Sequence, residues 1–174
     1  LVGFVLSWPH LVAGANDWQC GRVIFSASGT YTQQTDCVDY NAIRQVNVLG
    51  DLSLTGRPSL TTITAQSGHR HFGVSIGDRL DLKWIKLTGT PGVDSGGVEV
   101  TSSGELHAIY CWFDHNRNEK GGAISASITV SSPTIVLYGT NITGNVASGS
   151  TAWGGGVYQS SGSFTMSGGF VAGN

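Results

Sequence analysis

Short runs in which every second residue is apolar recur along the chain. The earliest clear examples lie at 46–49, 52–54, 62–65 and 72–76, and Gly, Pro, Asp and Ser separate them. Alternation with a period of two predicts β-strands that bury one face. None of these runs has the period of about 3.6 residues that marks an amphipathic helix, so the pattern favours an all-β chain.

Four longer segments align with one another. They cover 80–90, 106–116, 135–145 and 164–174, so their starts are 26, 29 and 29 residues apart. Three columns of the alignment stay apolar while the residues between them vary, which predicts a core made by stacking segment on segment. The predicted core stack consists of Leu80, Leu106, Ile135 and Phe164 in one column, Leu82, Ala108, Leu137 and Met166 in the next, and Leu87, Phe113, Ile142 and Val171 in the third.

Turn residues repeat in the same register. Glycines recur at 96–97, 121–122 and 154–156, each before a short β-prone stretch. Glycine adopts positive φ at little cost, so these positions predict tight corners. The last alignment column predicts a ladder of side-chain amides bonded from coil to coil. The ladder consists of Asn116, Asn145 and Asn174, with Thr90 in the same column.

A repeat of this length with two or three short strands cannot bury its apolar face alone. Stacking places parallel strands about 4.8 Å apart and buries that face. The predicted fold is therefore an all-β, right-handed parallel β-helix, with the handedness expected from the general preference of parallel crossovers. We assign 22–174 to the β-helix, with less regular coils at 22–78, a first strand at 22–31 and regular repeats at 79–174.

The N-terminal segment has a different composition. Residues 1–16 contain no Asp, Glu, Lys or Arg, and Ala13-Gly14-Ala15 resembles the end of a secretory signal. Trp8-Pro9-His10 interrupts the apolar run, and no basic leader precedes it. These features favour an apolar arm at 1–21, which caps the domain or docks on a neighbouring subunit, over a signal remnant.

Composition excludes several classes of protein. The 174 residues include nine Lys/Arg against eleven Asp/Glu, which argues against a basic nucleic-acid surface. The chain is glycine-rich, with 26 glycines, but it has only four prolines and no Gly-X-Y period, which excludes collagen. No apolar run reaches the roughly 18 residues that a membrane-spanning helix needs.

The three cysteines lack the spacing of a zinc site. A Cys20–Cys37 disulfide would close a strand-and-turn segment, and an extracellular location would favour it. Cys111 lies in a repeat and is predicted to be a buried free thiol. The alternative is that all three cysteines are reduced and buried.

Two motifs carry a resemblance to a known family. Phe113-Asp114-His115-Asn116, followed by Gly121-Gly122-Ala123-Ile124, resembles the FxxN and GGA[ILV] repeats of polymorphic outer-membrane proteins. The later glycine-rich pieces are similar to pectate-lyase-like β-helices of bacterial surface adhesins. The resemblance covers about 22–174 and implies the fold, while it says little about function because this solenoid hosts adhesins, lyases and fibres.

No catalytic or metal site emerges from the chemistry of the side chains. A lyase or hydrolase on this scaffold needs clustered carboxylates. The acidic residues here are dispersed, although Asp36 and Asp39 share one loop and Asp78 and Asp81 could share a corner. His69 would point to the same side of a strand as His71. Both are interpreted as polar surface histidines rather than metal ligands, and no cofactor is expected.

The outward positions offer contact sites. Asn141-Ile142-Thr143 is a glycosylation sequon, and Asn141 falls in an outward column with Lys86, Trp112 and Phe170. Exposed aromatic side chains mark contacts with sugar or protein, unless they cover the corner glycines. The candidates for glycan or partner contact are Trp112, Tyr138 and Trp153.

The sequence as a whole favours a non-catalytic structural or adhesive module that is secreted or displayed at the cell surface. Its expected partners are further copies of itself, in an oligomer or filament, or a cell-surface glycan. Neither nucleic acid nor a membrane span is expected. A polysaccharide lyase or hydrolase and a glycan-binding module on the same fold are the alternatives.

Overall fold

The computed structural model describes residues 16–18, 26–39, 45–66, 68–89 and 96–174. Regular secondary structure in these ranges consists of β-strands alone. In chain order the strands are β1 (Asn16–Asp17), β2 (Ser26–Thr32), β3 (Cys37–Asp39), β4 (Val46–Thr55), β5 (Thr61–Ala65), β6 (Phe72–Val74), β7 (Arg79–Lys83), β8 (Ile85–Thr88), β9 (Val98–Thr101), β10 (Glu105–Ile109), β11 (Trp112–Asp114), β12 (Arg117–Asn118), β13 (Ile124–Ser127), β14 (Thr134–Thr143), β15 (Val146–Ala147), β16 (Val157–Gln159) and β17 (Ser163–Ala172).

Each full coil contributes a strand to each of three faces, and the described pairings between strands are parallel. The first face contains the start of β4 followed by β6, β9, β13 and β16. The second contains the end of β4, then β7, β10 and the first halves of β14 and β17. The third contains β3, β5, β8, β11 and the second halves of β14 and β17. The predicted all-β parallel β-solenoid is confirmed, with about five turns.

The apolar columns lie in register inside these faces. Leu80 is paired with Leu106, Leu106 with Ile135, and Ile135 with Phe164. Leu80, Leu106 and Ile135 are completely buried, whereas Phe164 is only half-buried. The column that starts at Leu82 is also in register, along β7, β10, β14 and β17. The column that starts at Leu87 is in register along β8, β11, β14 and β17. Stacking therefore forms one continuous apolar core.

The columns extend into coils that the sequence left irregular. Leu52 and Leu54 pair with Leu80 and Leu82 on the second face, and Ile63 lies next to Leu87 on the third. In this coil a loop at 56–60 separates β4 from β5, whereas the next two coils place one or two residues there. The inserted loop shifts the spacing of the apolar residues, which is why this coil belongs to the less regular coils predicted at 22–78 and not to the four aligned segments.

A single residue turns the chain from the second to the third face in successive coils. Trp84, Tyr110, Gly139 and Gly168 occupy this corner, with φ of 54°, 52°, 56° and 71°. Glycine adopts such values freely, while a side chain makes them cost about 1 kcal/mol or more. Two aromatic residues therefore stand where the next coils place glycine.

The asparagines form a buried ladder at the end of the third face. The Asn145 Oδ1 accepts hydrogen bonds from the backbone N and the Nδ2 of Asn116, both at 2.9 Å. The Asn145 Nδ2 donates to the Phe113 carbonyl at 3.0 Å and to the Asn174 Oδ1 at 2.8 Å. Thr90, the predicted first member of this column, lies outside the described residues.

Several predictions fall on parts of the chain that the structure does not describe. The arm at 1–21 is described only at 16–18, where Trp18 is buried against Tyr31 and Phe72. The first strand is described from Ser26 onward. Cys20 lies outside the described residues, so the Cys20–Cys37 disulfide stays a prediction. The right-handed coiling of the β-helix also stays a prediction.

Candidate functional site

The third face presents an outward column of mixed chemistry. Lys86, Trp112, Asn141 and Phe170 are neighbours in successive coils. The Lys86 Nζ lies 4.3 Å from the centroid of the Trp112 ring, a cation–π distance. Trp112 is half-buried, and its Nε1 donates to the Thr143 Oγ1 at 2.6 Å. These two contacts fix the position of the Trp112 ring on the third face.

Asp114 anchors the same face. Its Oδ2 lies 2.7 Å from the Lys86 Nζ, and its Oδ1 lies 2.8 Å from the His115 Nδ1. The Thr143 hydroxyl also donates to Asp114, at 2.8 Å. Burial raises the pKa of Asp114, but the hydrogen bonds from Lys86, Thr143 and His115 outweigh it and leave the pKa below its ordinary value. Asp114 is thus an ionised structural carboxylate rather than a proton donor.

An open surface hollow of about 400 Å³ lies at the corner between the second and third faces. Tyr110 forms one part of its wall, and its ring lies over Gly139, where an added Cβ would come within 2.6 Å of the ring. Tyr138 positions that ring, since the two ring centroids are 5.4 Å apart in an edge-to-face arrangement. The remaining lining residues are Pro58, Leu60, Trp84, Cys111 and Asn141.

Cys111 lines the inner end of this hollow as a free thiol. It is 2% exposed, in agreement with its predicted state. Burial raises the pKa of Cys111 to about 12, because the interior disfavours a thiolate. Cys111 is therefore not a nucleophile at neutral pH.

The first face carries a groove of about 410 Å³ with charged walls. Arg70 crosses it and donates to the carbonyls of Lys120 and Gly121, at 2.6 and 3.2 Å. Glu99 and Glu119 both line the groove, so two carboxylates share one concave surface. The other lining residues are Lys120, Ser125, Ser127, Tyr158 and Ser160.

The second face brings two more carboxylates near a histidine. The His107 Nδ1 lies 3.7 Å from Asp81, and its Nε2 lies 3.7 Å from Glu105. Asp81 is also 2.9 Å from Arg79. A general acid needs an apolar environment that keeps it protonated. These carboxylates are partly exposed, and Asp81 is paired with Arg79, so the cluster fits a solvated polar network better than a catalytic pair.

The prediction for the two strand histidines was wrong for one of them. His69 is half-exposed, but His71 is 1% exposed. The His71 Nε2 lies 2.9 Å from the Ile63 carbonyl, and its Nδ1 accepts from the Gly97 backbone N at 2.9 Å. Burial lowers the pKa of His71 to about 4, so the ring is neutral at physiological pH. His71 links neighbouring coils by hydrogen bonds, because its two ring nitrogens bond to the Ile63 carbonyl and the Gly97 backbone N.

The three predicted aromatic contact residues do not form one site. Trp112 lies on the third face and Tyr138 at the second-to-third corner. Trp153 is 60% exposed in a loop, beside Lys120. Sequence reasoning overlooked Trp84 and Tyr110 as site residues, although their alignment with Gly139 and Gly168 was a detectable signal.

Among the described residues, no group of three or more His, Cys, Asp or Glu side chains is placed to hold a metal ion. The described part of the chain also contains no helix with the length and hydropathy that a membrane crossing requires.

No protein-family model, no curated protein and no solved structure matches the chain. The resemblance to polymorphic outer-membrane proteins and pectate-lyase-like adhesins therefore depends on the short motifs alone. The coarser assignment, a parallel β-solenoid, is what the structure establishes.

Proposed function

We propose that the chain is a non-catalytic structural and adhesive module that works outside the cell. The observation that carries this proposal is that inward and outward side chains of the coils have separate roles. Inward side chains form the apolar columns and the asparagine ladder, which leaves the outward side chains of three faces available for contacts. The extracellular location follows from the resemblance of the repeats to bacterial surface proteins.

A bead adhesion assay tests this function. Beads coated with the chain are compared with albumin-coated beads for adhesion to immobilised polysaccharides and to cultured cells. We expect adhesion several-fold above the albumin background on at least one surface. Adhesion equal to that of albumin on every surface would contradict the proposal.

Self-association into a filament is part of the same proposal. Its support is the uncharged segment 1–16, because an apolar arm can dock on a neighbouring copy. Sedimentation velocity of the full chain and of a variant lacking 1–16 tests it. An assembly that the deletion reduces to monomers supports the arm's role, and an unchanged sedimentation coefficient argues against it.

A second candidate function, a polysaccharide hydrolase, rests on the first-face groove. Glu99 and Glu119 line it together, and a pair of carboxylates is what glycoside hydrolysis requires. The test is release of reducing ends from a panel of polysaccharides by the native chain, by Glu99→Gln and by Glu119→Gln. Release that both variants abolish would favour the enzyme, whereas no release from any substrate would leave the adhesive function.

A further inference from the structure

We propose that the corner hollow between the second and third faces binds one hexopyranose unit of a neutral saccharide. The inference rests on the adhesive function proposed above and specifies its ligand and its site. Trp84 and Tyr110 provide the rings on which the sugar stacks, and Asn141 provides hydrogen bonds to its hydroxyl groups.

Backbone strain is the first reason to assign a role to this corner. Trp84 and Tyr110 adopt φ of 54° and 52°, values that disfavour a side chain. Glycine fills the same position in the next two coils, at Gly139 and Gly168, so the turn itself does not require an aromatic residue. Strained residues cluster at functional sites, where the surrounding structure holds them in place.

The shape and size of the hollow agree with a small ring. Its volume of about 400 Å³ lies at the lower end of the range for small-ligand sites. Tyr110 remains 46% exposed even though Tyr138 and Gly139 support it from two sides. Pro58 and Leu60, from the loop inserted in the earlier coil, complete the wall on the far side of Trp84.

The polarity of the hollow selects the ligand. None of its lining residues carries a charge, although the cation of Lys83 lies beside them, with its Nζ 4.2 Å from the centroid of the Trp84 ring, and covers one face of that ring. Aromatic rings favour a flat C–H surface, and the Asn141 amide can both donate to and accept from hydroxyl groups. A neutral hexopyranose combines these two properties, with an apolar face and hydroxyls around its edge.

The backbone around the hollow argues against an extended peptide as the ligand. The Trp84 N donates to the Ile109 carbonyl at 3.1 Å, and the Trp84 carbonyl accepts from the Thr61 N at 3.0 Å. The Tyr110 N donates to the Tyr138 carbonyl at 2.8 Å. These groups are occupied by bonds between coils, so strand addition is not available here.

The experiment measures binding of mannohexaose, cellohexaose and maltohexaose by calorimetry, with a ten-residue proline peptide as the competing ligand class. Trp84→Gly and Tyr110→Gly remove the rings and install the residue that later coils use at this corner. We expect each variant to weaken binding of the bound hexasaccharide at least tenfold. Thermal unfolding midpoints close to that of the native chain would show that both variants fold.

Three further variants serve as controls. Trp84→Phe keeps a ring with the same backbone strain and should lose only a few-fold in affinity. His115→Gly relieves a similar φ of 52° at another corner, and Val130→Ala shortens an exposed apolar side chain elsewhere. Both should leave binding unchanged.

The inference is overturned if no hexasaccharide binds, if Trp84→Gly binds as well as the native chain, or if the proline peptide alone binds with the same dependence on the rings. The bead assay separates this failure from failure of the adhesive function. Adhesion retained by Trp84→Gly places the contact elsewhere, while native beads that adhere to nothing contradict the function itself.

Discussion

The inner coils and the last described coil share one register but not one environment. Ile142 and Val171 are paired neighbours in the same column. Ile142 is completely buried, whereas Val171 is 52% exposed. Ile142 pairs with Phe113 on one side and with Val171 on the other, whereas among the described residues Val171 pairs with Ile142 alone. In a solenoid a side chain is buried by the adjacent coils and only partly by its own.

The same contrast applies to polar groups. Asn145 lies between two other asparagines of the ladder and is completely buried. Within the described part of the chain, Asn174 bonds to the coil of Asn145, and it is exposed. Identical residues in identical positions thus contribute different amounts to stability, according to how many coils contact them.

The largest expected effect comes from deleting a buried ring. Phe113→Ala removes a completely buried side chain that packs between two coils, and such deletions cost about 3–5 kcal/mol. Val171→Ala, in the same column, should cost less than about 1 kcal/mol because half of that side chain is already in water. Urea unfolding of both variants measures the difference, and equal losses would refute the role of adjacent coils.

A smaller effect is expected from the ladder. Asn145→Leu leaves the Asn116 backbone N and the Phe113 carbonyl without their partners. Unsatisfied buried groups cost about 1–3 kcal/mol each, so we expect a loss of roughly 3 kcal/mol in the free energy of unfolding. Asn174→Leu is the matched control and should cost less than half as much. The comparison fails if the two substitutions destabilise the chain equally.

Acid should weaken the inner coils through His71. Its pKa is about 4 in the folded chain and about 6.5 when unfolded, so protonation favours unfolding. The contribution of the neutral ring is complete above pH 6.5 and is lost at about 1.4 kcal/mol per pH unit as the pH falls toward 4. Urea midpoints across this range test the slope, which His71→Gln should flatten. A ring proton of His71 that titrates near pH 6.5 in NMR spectra would contradict it.

The sequence predicted the columns well because they depend on local alternation. Leu106, Ile135 and Phe164 repeat at near-constant spacing, and a shift of one residue would expose every one of them. The asparagine ladder was predictable for the same reason. Neither His71 nor the corner hollow follows from such a period. The burial of His71 depends on backbone groups at Ile63 and Gly97, which belong to different coils.

The hollow depends even more on contacts between coils. Its wall combines a loop at 56–60, two aromatic corner residues and a glycine from the coil that follows. The sequence does not show that these elements form one wall, because they lie far apart in the chain. Tyr110 and Gly139, for example, are 29 residues apart. Only the position of one coil against the next determines which ring lies over which glycine.

The sequence by itself determined that this chain stacks its repeats, because apolar residues at every second position must find a partner face and one repeat is too short to provide it. The tertiary structure decided which residues are buried, charged or available for binding. These properties arise from distances between coils, and residues about one repeat apart become neighbours only when the parallel strands pair.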